Sequence, residues 1–248
     1  MKRKSVIAAL LLLMAGMQSA KAQKMTVNLV GGQHVDYDVS QVESVTFAEG
    51  KANSHEWVDL ELAGGTLWAT CNVGAESPEE CGDYFAWGET EPKTNYVWDT
   101  YKYCNGSGRS LTKYCTNSSY GTVDGKAELE PEDDAATFNW GYEWQMPSMD
   151  QVEELLNTAY TATYMTTQNG VYGMVFTSRS NGNSIFLPAA GNKYETDISW
   201  KDEGSYLSRS MMERVPDYAI GFSFSASRQG TSGKYRCDGQ LVRPVRVK

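Results

Sequence analysis

The chain has 248 residues, of which 41% are hydrophobic and 21% charged, and its formal net charge is −9. This acidic balance, without a basic stripe interleaved with aromatic residues, disfavours nucleic acid as a partner because a negative field repels phosphates. The length suffices for one domain with a substantial core and a small appendage.

Residues 1–22 have the three-part layout of a secretory signal peptide. Residues 2–4 are basic, residues 6–14 form an apolar run, and residues 20–22 read Ala-Lys-Ala. The run is too short to cross a bilayer and no later segment approaches 18 apolar residues, so no membrane span is predicted. We expect an exported protein, at the cell surface, outside the cell or in the periplasm. Without the signal peptide it has 18 basic against 31 acidic residues, a formal charge of −13.

Residues 23–49 are predicted to form a small β module. Apolar and polar residues alternate on both sides of Gly31-Gly32, which indicates a hairpin with a two-residue turn. Ser40 and Glu43 have the spacing of a capping box, and a further strand is expected just after them, at residues 45–47. Two strands alone are marginal in water, so we expect the module to pack on another surface.

A second, larger domain is predicted over residues 55–248, after a polar linker at residues 50–54. Strands are expected on both sides of the turn at Gly64-Gly65. Residues 76–134 are loop-rich, with little periodicity, and such stretches in compact domains are usually functional or poorly ordered.

The clearest helix signal lies at residues 148–156. Ser148 and Gln151 form a predicted capping box, so the helix should begin at Met149. Apolar residues then recur at helical spacing and give one stripe to bury. Pro131, followed by three acidic residues, predicts another helix start, because acids in the first turn complement the helix dipole.

Four short strands are predicted in the last third of the chain, at residues 185–188, 205–208, 219–224 and 241–247. With one convincing long helix, the pattern predicts an α+β class with a twisted antiparallel sheet and few helices.

Four segments together resemble a known family. Residues 144–148 read Trp-Gln-Met-Pro-Ser, and residues 67–75, 82–90 and 242–246 support the match in the right order. Over residues 55–248 the chain is similar to the Fibrobacter succinogenes major paralogous domain family. The resemblance implies a bacterial secreted or surface protein with a C-type-lectin-like fold, distantly similar to the formylglycine-generating enzymes.

Enzyme activity is not predicted. The formylglycine-generating enzymes use a cysteine pair, one member of which follows a terminal Gly-Phe-Arg, whereas here Arg243 precedes Pro244 and Cys237 lies six residues before the arginine. A nucleophilic thiol also needs a base beside it, and the two histidines, His34 and His55, lie far from every cysteine in sequence.

Two features of the loop-rich segment concern metal and sulfur chemistry. Glu89 and Glu91 precede a proline, as in the sugar-and-calcium motif of C-type lectins, and with help from Asp83 they could hold calcium, although a solvated acidic loop is the alternative. Cys104 and Cys115 flank a polar, glycine-bearing stretch and are expected to form a disulfide, while the odd count of five cysteines leaves at least one thiol unpaired.

Aromatic residues of the same segment are the candidate ligand-binding residues: Trp87, Tyr96, Trp98 and Tyr101. Flat rings beside carboxylates and amides suit the faces of neutral sugars and also peptides. Trp98 and Tyr101 are the preferred exposed pair. The sequence therefore predicts a non-catalytic binding or adhesion protein that recognises glycan. The alternatives are a protein-binding or structural surface component and an enzyme of the formylglycine-generating type.

Overall fold

The computed structural model describes residues 24–28, 34–42 and 55–247. The predicted signal peptide, the Gly31-Gly32 turn, the strand at residues 45–47 and the linker lie outside these described residues. The chain divides into two compact units, Met1–Glu49 and Gly50–Lys248.

The first unit contains the predicted strand pair. β1 (Lys24–Asn28) and β2 (His34–Asp38) are antiparallel. A 3-10 turn (Val39–Gln41) follows, and its N-cap is Asp38, whose carboxylate accepts a hydrogen bond from the Ser40 backbone N–H at 3.0 Å. The predicted cap at Ser40 is therefore wrong, because the turn begins one residue before that serine.

The second unit consists mostly of short antiparallel strands. They are β3 (Trp57–Asp59), β4 (Thr66–Ala69), β5 (Thr161–Gln168), β6 (Val171–Ser178), β7 (Ser184–Pro188), β8 (Asn192–Tyr194), β9 (Asp197–Ser199), β10 (Gly204–Met211), β11 (Tyr218–Phe224), β12 (Gln229–Tyr235) and β13 (Val245–Val247). They form three-stranded sheets in the orders β13-β4-β3, β5-β6-β7 and β10-β11-β12, with β8-β9 as a separate pair. Two α-helices accompany them in the described part of this unit, which confirms the α+β class.

The predicted strands at β7, β10 and β11 are confirmed, whereas the last predicted strand shortens to β13. The hairpin β5-β6 and the strand β12 were not predicted. β5 and β12 are rich in threonine, serine and glycine, so the apolar alternation that indicates a strand is weak in them. β6 carries Met174, Val175 and Phe176 in succession, so its apolar signal is continuous instead of alternating.

Helix α2 (Met149–Leu156) begins as its sequence predicts. The Ser148 hydroxyl accepts from the Gln151 N–H at 3.3 Å, and the Gln151 side-chain oxygen accepts from the Ser148 N–H at 2.9 Å. This completes the capping box. Val152 and Leu155 are buried, and the helix contacts β10, β11 and β12.

The predicted helix start at Pro131 is resolved into two elements. A 3-10 turn (Pro131–Asp133) comes first, and helix α1 (Ala135–Trp140) follows with Asp134 as its N-cap. The buried Asp134 carboxylate accepts backbone N–H bonds of 2.9–3.0 Å from Ala136, Thr137 and Met146. One side chain therefore fixes both the start of α1 and the segment that leads to α2.

Replacing Asp134 with alanine should lower the free energy of unfolding by about 2–4 kcal/mol, because a cap is lost and the Met146 N–H loses its acceptor in a buried setting. Asp134→Asn is the matched control, since it keeps an oxygen that can accept and asparagine caps helices as well as aspartate. Urea denaturation measures both. Equal losses in the two variants would contradict this role.

Candidate functional site

Three of the four predicted ligand-binding aromatics are core residues. Trp87 and Tyr96 are fully buried and Tyr101 is 3% exposed. The polar tips of all three donate to backbone carbonyls: Trp87 Nε1 to Ser208 at 3.0 Å, the Tyr101 hydroxyl to Trp87 at 2.7 Å, and the Tyr96 hydroxyl to the carbonyl of Tyr84. The prediction that these rings face a ligand is wrong, because their polar groups are satisfied inside the fold.

The predicted calcium ligands are not brought together. Glu89 is buried and forms an ion pair with Lys93 at 2.8 Å, and its other oxygen accepts the Lys102 N–H at 2.8 Å. Glu91 and Asp83 are exposed. Across residues 24–28, 34–42 and 55–247, no three acidic, histidine or cysteine side chains are grouped so as to hold a metal. Lys93 therefore neutralises the carboxylate that the prediction assigned to calcium.

The predicted disulfide is absent, and all five cysteines are free thiols in the described part of the chain. The Cys104 thiol contacts the Trp98 carbonyl oxygen at 3.1 Å, and the Cys115 thiol contacts the Asn117 carbonyl oxygen at 3.2 Å. Each thiol thus has a backbone partner of its own. Cys237 is buried, which raises the pKa of its thiol and disfavours the reactive thiolate.

The best candidate site is an open cleft of about 340 Å³ at the β10-β11-β12 sheet. We call it the β12 cleft, after the strand that contributes most to it, and its aromatic and charged members are Trp200, Glu203, Tyr218, Arg228, Lys234, Tyr235 and Asp238. Serines of three neighbouring strands also line it, with Ser205 directly opposite Ser223 across the β10-β11 ladder, and Asn192, Gly233 and Gln240 complete the lining.

Aromatic rings form one part of the β12 cleft. Trp200 is 70% exposed and Tyr235 is 44% exposed, and Tyr218 stacks on Tyr235 with ring centroids 4.3 Å apart. Trp98, which is partly exposed, makes an edge contact with Tyr235 at 6.2 Å. Of the four predicted aromatics, Trp98 is thus the one placed beside this cleft, behind a ring that lines it.

Trp200 has a strained backbone, with φ at +56°. A bulky residue rarely adopts this left-handed conformation, and such strain is often found at functional positions. The turn that follows is closed by the Glu203 N–H, which donates to the Trp200 carbonyl at 2.8 Å. A strained, solvent-facing indole beside a cleft is a candidate ligand contact.

The charged residues of the β12 cleft differ in their partners. Arg228 pairs with Glu203 at 3.1 Å. Lys234 and Asp238 form no ion pair with any group in the described ranges. Burial lowers the pKa of Lys234 to about 8 and raises that of Asp238 to about 6, because a low-dielectric setting disfavours both charged forms.

The Lys234 side chain lies across a strand position that has no side chain. A Cβ added at Gly221 would stand 2.8 Å from Lys234 Cγ and 2.4 Å from the Tyr206 carbonyl oxygen. Glycine at this position therefore leaves room for the lysine stem. Behind it, the Ser205 hydroxyl donates to the buried Gln240 side-chain oxygen at 2.5 Å, which fixes the polar floor of the cleft.

A second groove, of about 270 Å³, lies beside the β5-β6-β7 sheet. Tyr164, Phe186 and Ile185 are among its lining residues, and no acidic or basic side chain contributes to it. It offers no charged side chain to orient a ligand, so the β12 cleft is the better candidate.

The fold and the site define an α+β protein with an open cleft lined by aromatic and charged residues. No model of a known protein family, no curated protein and no solved structure matches the chain. None of the helices in the described ranges has the length and apolar character needed to cross a bilayer.

Sequence reasoning missed the main residues of the β12 cleft, because they come from residues 200–240, where it predicted only strands. Lys234 and Tyr235 end β12, a strand poor in apolar residues, and Asp238 follows it. A cluster of aromatic and charged residues at the end of such a polar strand was the available signal.

Lys234 also gives a prediction on stability. Its pKa is about 8 in the folded protein and 10.5 as a reference value, so between these values the unfolded chain binds more protons and stability rises with pH. Lys234→Met should therefore raise the free energy of unfolding at pH 7, by up to about 3 kcal/mol, and the gain should vanish above pH 10.5. Thermal or urea unfolding from pH 6 to 11 measures it.

The exposed Lys201 provides the matched control, since Lys201→Met removes the same charge from a solvated position. It should leave stability nearly unchanged at every pH. If Lys234→Met stabilises no more than Lys201→Met at pH 7, the Lys234 ammonium is not desolvated in the cleft.

Proposed function

We propose that this chain is an exported bacterial protein that acts as a non-catalytic binding or adhesion module and recognises glycan in the β12 cleft. The observation that carries the proposal is the exposed indole of Trp200 facing a cleft otherwise lined by tyrosines, serines and charged side chains. On this proposal it belongs with the major paralogous domain proteins of C-type-lectin-like fold that it resembles.

The chemistry of sugars supports this assignment. A pyranose has an apolar face of C–H groups and a rim of hydroxyls, so its sites combine flat rings with a few placed polar groups. Trp200 and Tyr235 provide the rings, while Lys234, Asp238 and the serines provide donors and acceptors. The cleft is open, which suits a chain of sugars more than an enclosed metabolite.

Several observations favour binding over catalysis. The Cys237 thiol is buried and its pKa is raised, which disfavours oxidation chemistry of the formylglycine-generating type. The His55 ring stacks on Trp140 at 3.5 Å and lies against Trp144, a packing role. Each of these groups therefore has a structural explanation.

A protein-binding or structural surface component is the second candidate. It is favoured by the β1-β2 pair and the 3-10 turn after it, which together expose Val27, Val35, Tyr37 and Val39 in the first unit. A two-stranded hairpin is marginal alone in water and could pair with a strand of a partner chain. This candidate places the function in the first unit instead of the β12 cleft.

The first test is a glycan array probed with residues 23–248, in calcium and again in a chelator. We expect specific binding that Trp200→Ala weakens about tenfold or more, as the loss of a central aromatic contact does in other interfaces. The chelator should have no effect, because the Lys93 ammonium already neutralises Glu89.

Tyr142→Ala is the matched control, because Tyr142 is 78% exposed and is not among the lining residues of the cleft. Its binding should equal that of the unmodified chain. A blank array in both conditions would reject glycan recognition and favour the hairpin-mediated protein interaction.

A further inference from the structure

Lys234 and Asp238 are opposite charges that line the same cleft without an ion pair. No ion pair within 4.0 Å involves either of them in the part of the chain that the structure describes. Asp238 Oδ1 is contacted by the Cys237 thiol at 3.7 Å, a long contact to a weak donor. The neighbouring Arg228 and Glu203 are already paired with each other. Both Lys234 and Asp238 therefore retain hydrogen-bonding capacity for a ligand.

The chemistry of the two groups restricts what can satisfy both. An ammonium only donates hydrogen bonds and a carboxylate only accepts them. A ligand that occupies both must present an acceptor to Lys234 and a donor to Asp238. A hydroxyl can do either, so two neighbouring hydroxyls of one sugar ring fit the pair. A lone carboxylate would satisfy Lys234 alone, and a lone ammonium would satisfy Asp238 alone.

On the basis of the glycan function proposed above, we propose that Lys234 and Asp238 together bind two neighbouring hydroxyl groups of a neutral sugar, with Lys234 donating to one and Asp238 accepting from the other. The rings of Trp200 and Tyr235 then contact the sugar face. Acidic sugars are disfavoured, since the carboxylates of Glu203 and Asp238 would face the sugar carboxylate and Arg228 is committed to Glu203.

The pair gives the site a pH window. Burial raises the pKa of Asp238 to about 6 and lowers that of Lys234 to about 8, so both groups are charged between these values. Affinity should be highest there, falling below about pH 6 as Asp238 gains a proton and above about pH 8 as Lys234 loses one.

Other titratable groups face the pair from the adjoining elements: Glu203, Arg228, Tyr218, Tyr235 and Cys237. Burial raises the pKa values of Tyr218 and Cys237 above the window, and Glu203 remains paired with Arg228. The fall in affinity below about pH 6 is therefore assigned to Asp238, and the fall above about pH 8 to Lys234.

Calorimetric titration of residues 23–248 tests the inference, with soluble gluco-, manno- and galacto-oligosaccharides as neutral probes, a glucuronate-containing oligosaccharide as the acidic probe and glycine as a zwitterionic competitor. Asp238→Asn and Lys234→Gln should each lower affinity for the neutral probe about tenfold to a hundredfold. Asp238→Asn should also remove the fall in affinity at acidic pH, and Lys234→Gln should remove the fall at alkaline pH. If the two residues had only a structural role, neither variant would remove one of these falls and leave the other.

Glu213→Gln is the matched control, because Glu213 is exposed and is not among the lining residues of the cleft, and it should leave both pH-dependent falls in affinity in place. Thermal unfolding of every variant checks that it is folded. A neutral sugar that binds through Trp200, but with a flat pH profile and no loss in the two variants, would overturn the pairing and leave the glycan function standing. Tighter binding of the glucuronate probe, or displacement of the sugar by glycine, would overturn the selection of hydroxyls. Failure of every oligosaccharide probe, neutral and acidic, would reject both proposals.

Discussion

The buried guanidinium of Arg236 is the interaction on which the second unit depends. It is fully buried, and its hydrogen bonds of 2.8–3.1 Å go to four oxygens: the Tyr101 hydroxyl and the carbonyls of Lys113, Tyr114 and Pro216. It also lies over the Trp87 ring at 4.7 Å. A buried charge is tolerated when its donors are satisfied, and the planar fork of arginine can satisfy several carbonyls at once. Arg236 thereby ties the loop-rich segment to the end of β12.

Arg243 does the same for another part of this unit. It is fully buried and donates to Asn72 Oδ1 and to the carbonyls of Ala69, Thr70 and Phe186 at 2.8–3.0 Å. Long irregular segments leave carbonyl groups without ladder partners, and each buried one needs a donor. Arg236 supplies such donors to the loop carbonyls of Lys113, Tyr114 and Pro216, whereas Arg243 joins the end of β4 to β7. Arg236 thus holds the loop-rich stretch in place from inside the fold, which explains how so irregular a segment keeps buried residues such as Trp87, Tyr101 and Tyr114.

The features that the sequence predicts correctly are local ones. The capping box of Ser148 and Gln151 lies within one helical turn, so the spacing of its two residues in the sequence is enough to predict it. The α+β class follows because the sequence contains only one strong helix signal beside several short strand patterns. The burial of Trp87 depends on Ser208, which is 121 residues away in sequence, and no spacing rule reaches that far. The β12 cleft is also non-local, since it requires β10, β11 and β12 to pair before Trp200 and Lys234 can line one space. For the same reason, Cys104 and Cys115 gave a false disulfide signal from their spacing alone.

Aromatic residues have two different roles in this chain, and their polar tips distinguish them. In the core, the hydroxyl or N–H groups of Trp87, Tyr96 and Tyr101 donate to backbone carbonyls, whereas the ring of Trp200 is mostly in solvent. Trp98 connects the two sets, because it makes edge contacts with both Tyr101 and Tyr235. Arg236 fixes Tyr101, which in turn packs against Trp98, so the ring of Tyr235 rests on a rigid support. A ring held in this way would lose little side-chain entropy on contact with a ligand, so Tyr235 is the preorganised ring of the proposed site, whereas Trp200, which is 70% exposed, would have to be ordered on binding.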